Sequence, residues 1–304
     1  MGRFEQALED FNEAVRLDPS FTVAWLSKGL ALEELNRLRE ALACFDRAAE
    51  LGHPDGASIA ARIRQSLGKA STQPRQGDQE QAIRFDPADA SVYYNRANNH
   101  SDLGQHQQAI AAYDEAIRLD PTYAAAFYDR GASYVALGQQ RRAIVDYDEA
   151  IRLNPTDANI YYNRGVCYDA LGQQQRAIAD YAEAIRLDPS YTEAYYNRGI
   201  LYGALGQQRQ AIADYDEAIR LDPSLAIAYS NRGSCYSALG QHERALADYD
   251  EVIRLDPTDA DAYYNRGTSY AVLRQSQRAI ADFDEAIRLA PNFVAAWLNK
   301  GVAL

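Results

Sequence analysis

The 304-residue chain is poor in the residues that build redox, metal and catalytic centres: three cysteines, four histidines and one methionine. An odd set of cysteines (Cys44, Cys167, Cys235) cannot pair completely, so small buried thiols in a reducing, cytoplasmic setting are expected. His53, His100, His106 and His242 show no metal-ligand spacing; His106 and His242 fall at one repeat position and read as surface decoration. There is no phosphate-cradling glycine loop, no Gly-x-Ser-x-Gly elbow and no His-Glu-x-x-His. No cofactor, no metal and no enzymatic activity are therefore expected. No run approaches the roughly 18 apolar residues of a membrane span. The opening MGRFEQALEDF has a helical stripe but not the apolar core of a signal peptide. Net charge is −12 and no basic stripe or tail is present, which argues against nucleic acid and anionic membrane as partners.

Proline is sparse but ordered. Pro87, Pro121, Pro155, Pro189, Pro223, Pro257 and Pro291 recur every 34 residues, and a fixed period of that length is the signature of a solenoid. In the unit 158–191, Ile160, Tyr161, Tyr168 and Leu171 follow helical spacing and Gly172 ends the first helix, A. Ala177, Ile178, Tyr181, Ala184, Ile185 and Leu187 form the stripe of a second helix, B. Pro189 stops it, since proline disfavours helix before it and donates no amide. The expected fold is all-α: antiparallel helix pairs, neither member able to bury its stripe alone. Gly165 sits inside helix A, where glycine costs roughly 0.5–1 kcal/mol relative to alanine. It recurs as Gly29, Gly131, Gly199, Gly233, Gly267 and Gly301, so close approach of helix B must compensate; small Ala177 is expected to face it.

Tyr161, Gly165, Tyr168, Ala177, Tyr181, Ala184 and Pro189 together resemble the tetratricopeptide repeat. The pattern holds through six units, 90–123, 124–157, 158–191, 192–225, 226–259 and 260–293, and in an earlier unit, 22–55, with Trp25, Gly29, Ala41, Phe45 and Ala48. The resemblance implies a right-handed superhelical solenoid whose concave wall is lined by the A helices. Three segments follow: 1–68, a half repeat, one full repeat and a Sel1-like stretch at 48–68; 69–80, a loop or degenerate repeat; and 81–304, six full repeats and a half repeat at 294–304. Ala97 and His100 replace the glycine and tyrosine of the unit at 90–123, and Arg274 stands where the inter-helix turn has glycine. The terminal halves are complementary: the chain opens at repeat position 14 and closes at position 11. Two readings stay open, an incomplete array or head-to-tail self-association into an open filament.

The candidate site lies on the A helices. One position carries Asn95, Asn163, Asn197, Asn231, Asn265 and Asn299, interrupted by Asp129. The position before it carries Tyr94, Tyr128, Tyr162, Tyr196 and Tyr264, with Ser230 and Leu298 as exceptions. An amide both donates and accepts, so such a row can bind a peptide backbone whatever its side chains. It resembles the asparagine ladder with which members of this family hold extended peptides. Equally, asparagine can bond the neighbouring repeat and tyrosine can pack between helices. Six rungs at about 0.5–1.5 kcal/mol total roughly 3–9 kcal/mol, against an association cost of at least about 4. Tyrosine surface must supply the rest. A periodic Arg (Arg96, Arg130, Arg164, Arg198, Arg232, Arg266) on helix A and a periodic Asp (Asp146, Asp180, Asp214, Asp248, Asp282) on helix B are read as exposed inter-helix ion pairs. The expected function is a non-enzymatic scaffold binding an extended peptide or protein in its groove. The alternatives are a substrate-selecting arm of a larger enzyme and a self-assembling scaffold.

Overall fold

The computed structural model describes residues 7–8, 11–12, 14–16, 18–35, 37–69 and 89–303. The chain divides into two compact units, Met1–Ile83 and Arg84–Leu304. In the first, α1 (Thr22–Glu34), α2 (Leu38–Glu50) and α3 (Gly56–Lys69) pack in sequence around Leu32, Ala41, Phe45, Ala60 and Ile63. The stretch expected to be Sel1-like thus carries the end of α2, a turn at Gly52 (φ +89°) and α3. Gly56 lets α3 lie close on α2, since a Cβ there would meet the Ala49 backbone nitrogen at 2.5 Å. The expected joint at 69–80 lies outside the described residues apart from Lys69, as does much of the opening helix at 3–17 on which head-to-tail docking would depend.

The second unit is a solenoid of helix pairs. Its A helices are α4 (Ala90–Asp102), α6 (Ala124–Ala136), α8 (Ala158–Ala170), α10 (Thr192–Ala204), α12 (Ala226–Ala238), α14 (Ala260–Val272) and α16 (Val294–Ala303). The B helices are α5 (His106–Leu119), α7 (Gln140–Leu153), α9 (Gln174–Leu187), α11 (Gln208–Leu221), α13 (His242–Leu255) and α15 (Ser276–Leu289). Each A helix from α4 to α14 packs on its own B helix, each B helix packs on the next A helix, and successive A helices touch. This is the expected all-α, right-handed superhelical array, and every helix buries its stripe only against its neighbours.

Local chemistry sets the boundaries. Asp188 Oδ1 accepts from Ser190 N at 2.9 Å and from its hydroxyl at 2.6 Å, closing the turn through Pro189 before α10 begins. Between α8 and α9, Gly172 takes φ +70°, and Gln173 N donates to Tyr168 O at 2.8 Å, satisfying a carbonyl left open at the helix end. Arg274 makes the same turn at φ 61°, with the same bond from Gln275 N to Tyr270 O at 2.9 Å. A side chain in that region costs about 1–2 kcal/mol. Arg274→Gly should therefore raise stability by about 1 kcal/mol in urea unfolding; an unchanged or lower midpoint would contradict this account.

The core differs from expectation at the helix-A glycine. Its neighbour is the helix-B aromatic ring rather than Ala177: a Cβ on Gly165 would lie 2.8 Å from Tyr181 Cε1 and 3.3 Å from Asp180 Cβ. Gly131, Gly199, Gly233 and Gly267 face Tyr147, Tyr215, Tyr249 and Phe283 in the same way. A planar ring needs flat backbone opposite it, whereas Ala177 is buried elsewhere in the same cluster.

The periodic ion pairs also differ from expectation, because they are sheltered. Arg164 grips Asp180 with two parallel bonds (Nε–Oδ2 2.8 Å, Nη2–Oδ1 2.6 Å) and reaches Asp148 of the preceding helix B with Nη1 at 2.6 Å. The Asp180 side chain is 8% exposed and Arg164 18%. The same double grip joins Arg130, Arg232 and Arg266 to Asp146, Asp248 and Asp282, with third contacts to Asp114, Asp216 and Asp250. Among the described residues Arg198 pairs with one carboxylate, Asp214, because Ala182 stands where the third carboxylate would be. Arg96 is exposed, facing a repeat in which Ala112 replaces the aspartate. The arginines of α6, α8, α12 and α14 therefore staple each of those A helices between two B helices.

Candidate functional site

The tyrosine and asparagine rows form a bonded strip along the A helices, broken between Ser230 and Asn265. Asn163 Nδ2 donates to Tyr128 Oη at 2.7 Å, Asn197 to Tyr162 at 3.0 Å, Asn231 to Tyr196 at 3.4 Å and Asn299 to Tyr264 at 3.0 Å. Each bond spans 35 residues and joins one A helix to the next. The geometry follows from the stacking: tyrosine and asparagine are adjacent in sequence, and the offset between repeats brings each hydroxyl to the next amide. The rings are held from below and beside. Tyr162 stacks on Tyr191 at 4.8 Å between centroids and tilts against Tyr181 at 5.7 Å.

Three rungs depart from this. Asp129 carries no amide, so Tyr94 Oη donates to its Oδ2 at 2.7 Å, reversing the direction of the bond. Burial and that carboxylate push the Tyr94 hydroxyl up to about 12, and burial raises Asp129 too, though the Tyr94 bond opposes this. Asn265 has no tyrosine to meet, because Ser230 occupies the partner position, and among the described residues its amide makes no side-chain hydrogen bond. Asn95 is exposed at the start of the row. Burial raises the hydroxyls of Tyr128, Tyr162 and Tyr196, while the asparagine donor in each case lowers them, so all stay protonated at neutral pH.

The bonded rungs keep unused capacity. Each asparagine amide has two N–H groups and an oxygen, and the interhelix bond uses one N–H. Each tyrosine accepts there and retains its own O–H to donate. The bonds fix these half-buried side chains against the neighbouring repeats, and the Asn197 and Asn231 amides also act on the Tyr181 and Tyr215 hydroxyls beneath them.

A cleft not foreseen in the sequence lies beside this strip. It has a volume of about 290 Å³ and is lined by Ile200, Gly203 and Ala204 of α10, Gln208 and Tyr215 of α11, and Asn231, Ser234, Cys235 and Ala238 of α12. Its signal in the sequence was faint: Gly203 is a glycine out of register with the periodic ones, at a position held elsewhere by Val135, Asp169 or Ala271.

Cys44, Cys167 and Cys235 are buried free thiols, and burial pushes Cys167 up to about 11. His106 and His242 are half-buried rather than surface decoration, and their Nδ1 atoms have no hydrogen-bond partner. Among the described residues, no group of His, Cys, Asp and Glu could hold a metal ion, and no helix is long and apolar enough to cross a membrane.

A row of helix pairs of fixed length, each packed on its neighbours, defines the class of α-solenoid repeat proteins. Within it, the chain belongs to the tetratricopeptide repeat family: the family described as "TPR repeat" matches residues 98–138, 131–172, 167–206 and 233–272, and "Tetratricopeptide repeat" matches 1–56, 192–225, 214–247 and 260–293. Among solved structures, the chain is similar to YrrB, described as a TPR protein with an unusual peptide-binding site, at 26% identity and a TM-score of 0.59, over 62% of this chain and 98% of that one. It is similar to MamA at 26% identity and a TM-score of 0.52, over 54% of this chain and 96% of that one. An uncharacterized protein of Methanocaldococcus jannaschii is 50% identical over 46 residues, 15% of this chain; the match spans about half (54%) of that protein.

Proposed function

We propose that this tetratricopeptide array is a non-enzymatic scaffold for protein–protein interaction that holds an extended peptide or partner protein along the A-helix strip. The carrying observation is that Tyr128–Asn163, Tyr162–Asn197 and Tyr196–Asn231 fix polar groups in place while leaving each an unused donor or acceptor. Side chains already held by the fold lose little entropy on binding, so each bond to a peptide backbone contributes more of its gross energy. The similarity to YrrB, with its peptide-binding site, supports the same reading. The buried thiols suit a reducing, cytoplasmic setting.

The test is a random dodecapeptide library displayed on phage and selected on the whole chain, with selected peptides titrated by fluorescence anisotropy. Combined Asn163→Ala, Asn197→Ala and Asn231→Ala should weaken every selected peptide at least about tenfold, as three bonds of about 0.5–1.5 kcal/mol require. Combined Tyr128→Phe, Tyr162→Phe and Tyr196→Phe removes the interhelix bonds but keeps the amides, and should cost less. Selected peptides that bind the asparagine variant as tightly as wild type would overturn the reading.

A further inference from the structure

The array is nearly uniform, and uniformity is a difficulty for a ladder. A peptide held by identical rungs can slide by one repeat at no cost, just as a strand slips register where nothing distinguishes one pairing from the next. Departures from the repeat are therefore where a partner's position can be set. Several independent departures fall within α10, α11 and α12.

The first is the cleft itself. The second is Gly203. A Cβ there would rest 4.0 Å from Ala211 Cβ and 4.0 Å from Cys235 Sγ, ordinary contact distances, so packing does not require glycine. At Gly199, one turn earlier, it does: a Cβ would lie 2.8 Å from Tyr215 Cε1. Gly203 thus bears the helix cost of glycine with no close neighbour to explain it, and what it creates is the floor of the hollow. The third is that Ile200, on one wall, is 38% exposed, and Ile227, one turn before Asn231 on α12, is 49% exposed. The fourth is the ladder on either side. Asn231–Tyr196 is the longest rung at 3.4 Å, and Asn265 has none because Ser230 replaces tyrosine.

We propose that this cleft receives one uncharged aliphatic side chain of the extended segment held on the strip, and that this contact sets the segment's register. The inference rests on the peptide-scaffold reading. The lining names the occupant. Ile200, Gly203, Ala204 and Ala238 give an apolar wall, and no charged side chain lines the cleft, so a charged occupant would lose its hydration without a partner. Asn231, Ser234 and Gln208 also line the cleft and are neutral hydrogen-bonding groups suited to the backbone on either side of an inserted side chain. The free Asn265 amide then serves the same backbone one repeat further on.

The experiment uses peptides selected from the dodecapeptide library on the whole chain. Gly203→Val fills the floor with the residue that the array already carries as Val135, and Gly203→Ala fills it by one methyl group. Ile200→Ser removes the apolar wall at a partly exposed position. Circular dichroism and melting confirm that each variant folds. Wild-type selection should enrich one shared aliphatic position. Replacing that residue by alanine or aspartate in the peptide should weaken binding at least about tenfold, and Gly203→Val should abolish the difference between the three peptides. Peptides without a shared aliphatic position, or with a preference that survives both Gly203→Val and Ile200→Ser, would overturn the proposal. If they still lose affinity with the asparagine variant, the scaffold reading stands and only the register site fails. If they ignore the asparagines but respond to Gly203→Val, the ladder fails, and the register proposal that rests on it fails with it even though the cleft binds a side chain. Failure of any peptide to be selected overturns both.

Discussion

Asp214→Ala should cost about 3 kcal/mol of stability. The Asp214 side chain is 6% exposed and Arg198 17%, and Arg198 donates two parallel hydrogen bonds of 2.8 and 2.6 Å to the carboxylate. Burial pushes the Asp214 carboxyl upward although Arg198 pulls it down. A raised carboxyl favours the protonated fold, so this group's contribution is fully present below its unfolded value and declines as pH rises through the folded one. At neutral pH the intact pair contributes little net stability. Removing one partner is different, because it strands a charge between packed helices, which costs about 3–5 kcal/mol when burial is complete. Partial exposure of Arg198 places this case at the low end. Asp180→Ala should cost less, since Arg164 retains Asp148 at 2.6 Å while Arg198 has no such second carboxylate. The double replacement Arg198→Met with Asp214→Leu should return much of the loss. Urea unfolding of the three variants decides it: equal losses for Asp214→Ala and Asp180→Ala would show that the third contact does not matter.

Gly165→Ala should also destabilise, by about 1–3 kcal/mol, although alanine is the better helix former. The added methyl would stand 2.8 Å from Tyr181 Cε1, and that ring is 1% exposed, so it has no free space to move into. The propensity gain of about 0.5–1 kcal/mol is the smaller effect. Gly203→Ala is the internal control, since its methyl meets nothing closer than 4.0 Å. Opposite shifts of the thermal midpoint for the two changes are expected, and a rise for both would refute the ring-contact account. The unit at 90–123 shows how alanine is tolerated. Ala97 is buried where Ala112 has replaced the aspartate, and Tyr113 instead donates its hydroxyl to Asn98 Oδ1 at 2.6 Å. Because each repeat contacts only its neighbours, both losses should be local, with amide exchange accelerating first in the altered repeat and those beside it.

The sequence by itself determined the helix pairs, their period and the family. Those follow from short-range rules: where glycine ends a helix, where proline stops one, and which residues share a stripe. Tyr128 and Asn163 were likewise legible as candidates, because a repeated pair on helix A stands out from a stripe required only for packing. Only the tertiary structure decided what they do to each other, since the bond crosses 35 residues and depends on the offset between stacked repeats. The same limit hid the burial of Asp180, and it paired Gly165 with Ala177 where the fold sets Tyr181 opposite. Sequence spacing orders residues along one helix, but the distance between helices is set by packing. The cleft at Gly203 was least legible of all. A hollow is formed by groups from three helices and by the absence of side chains, and no periodic pattern records an absence that occurs once.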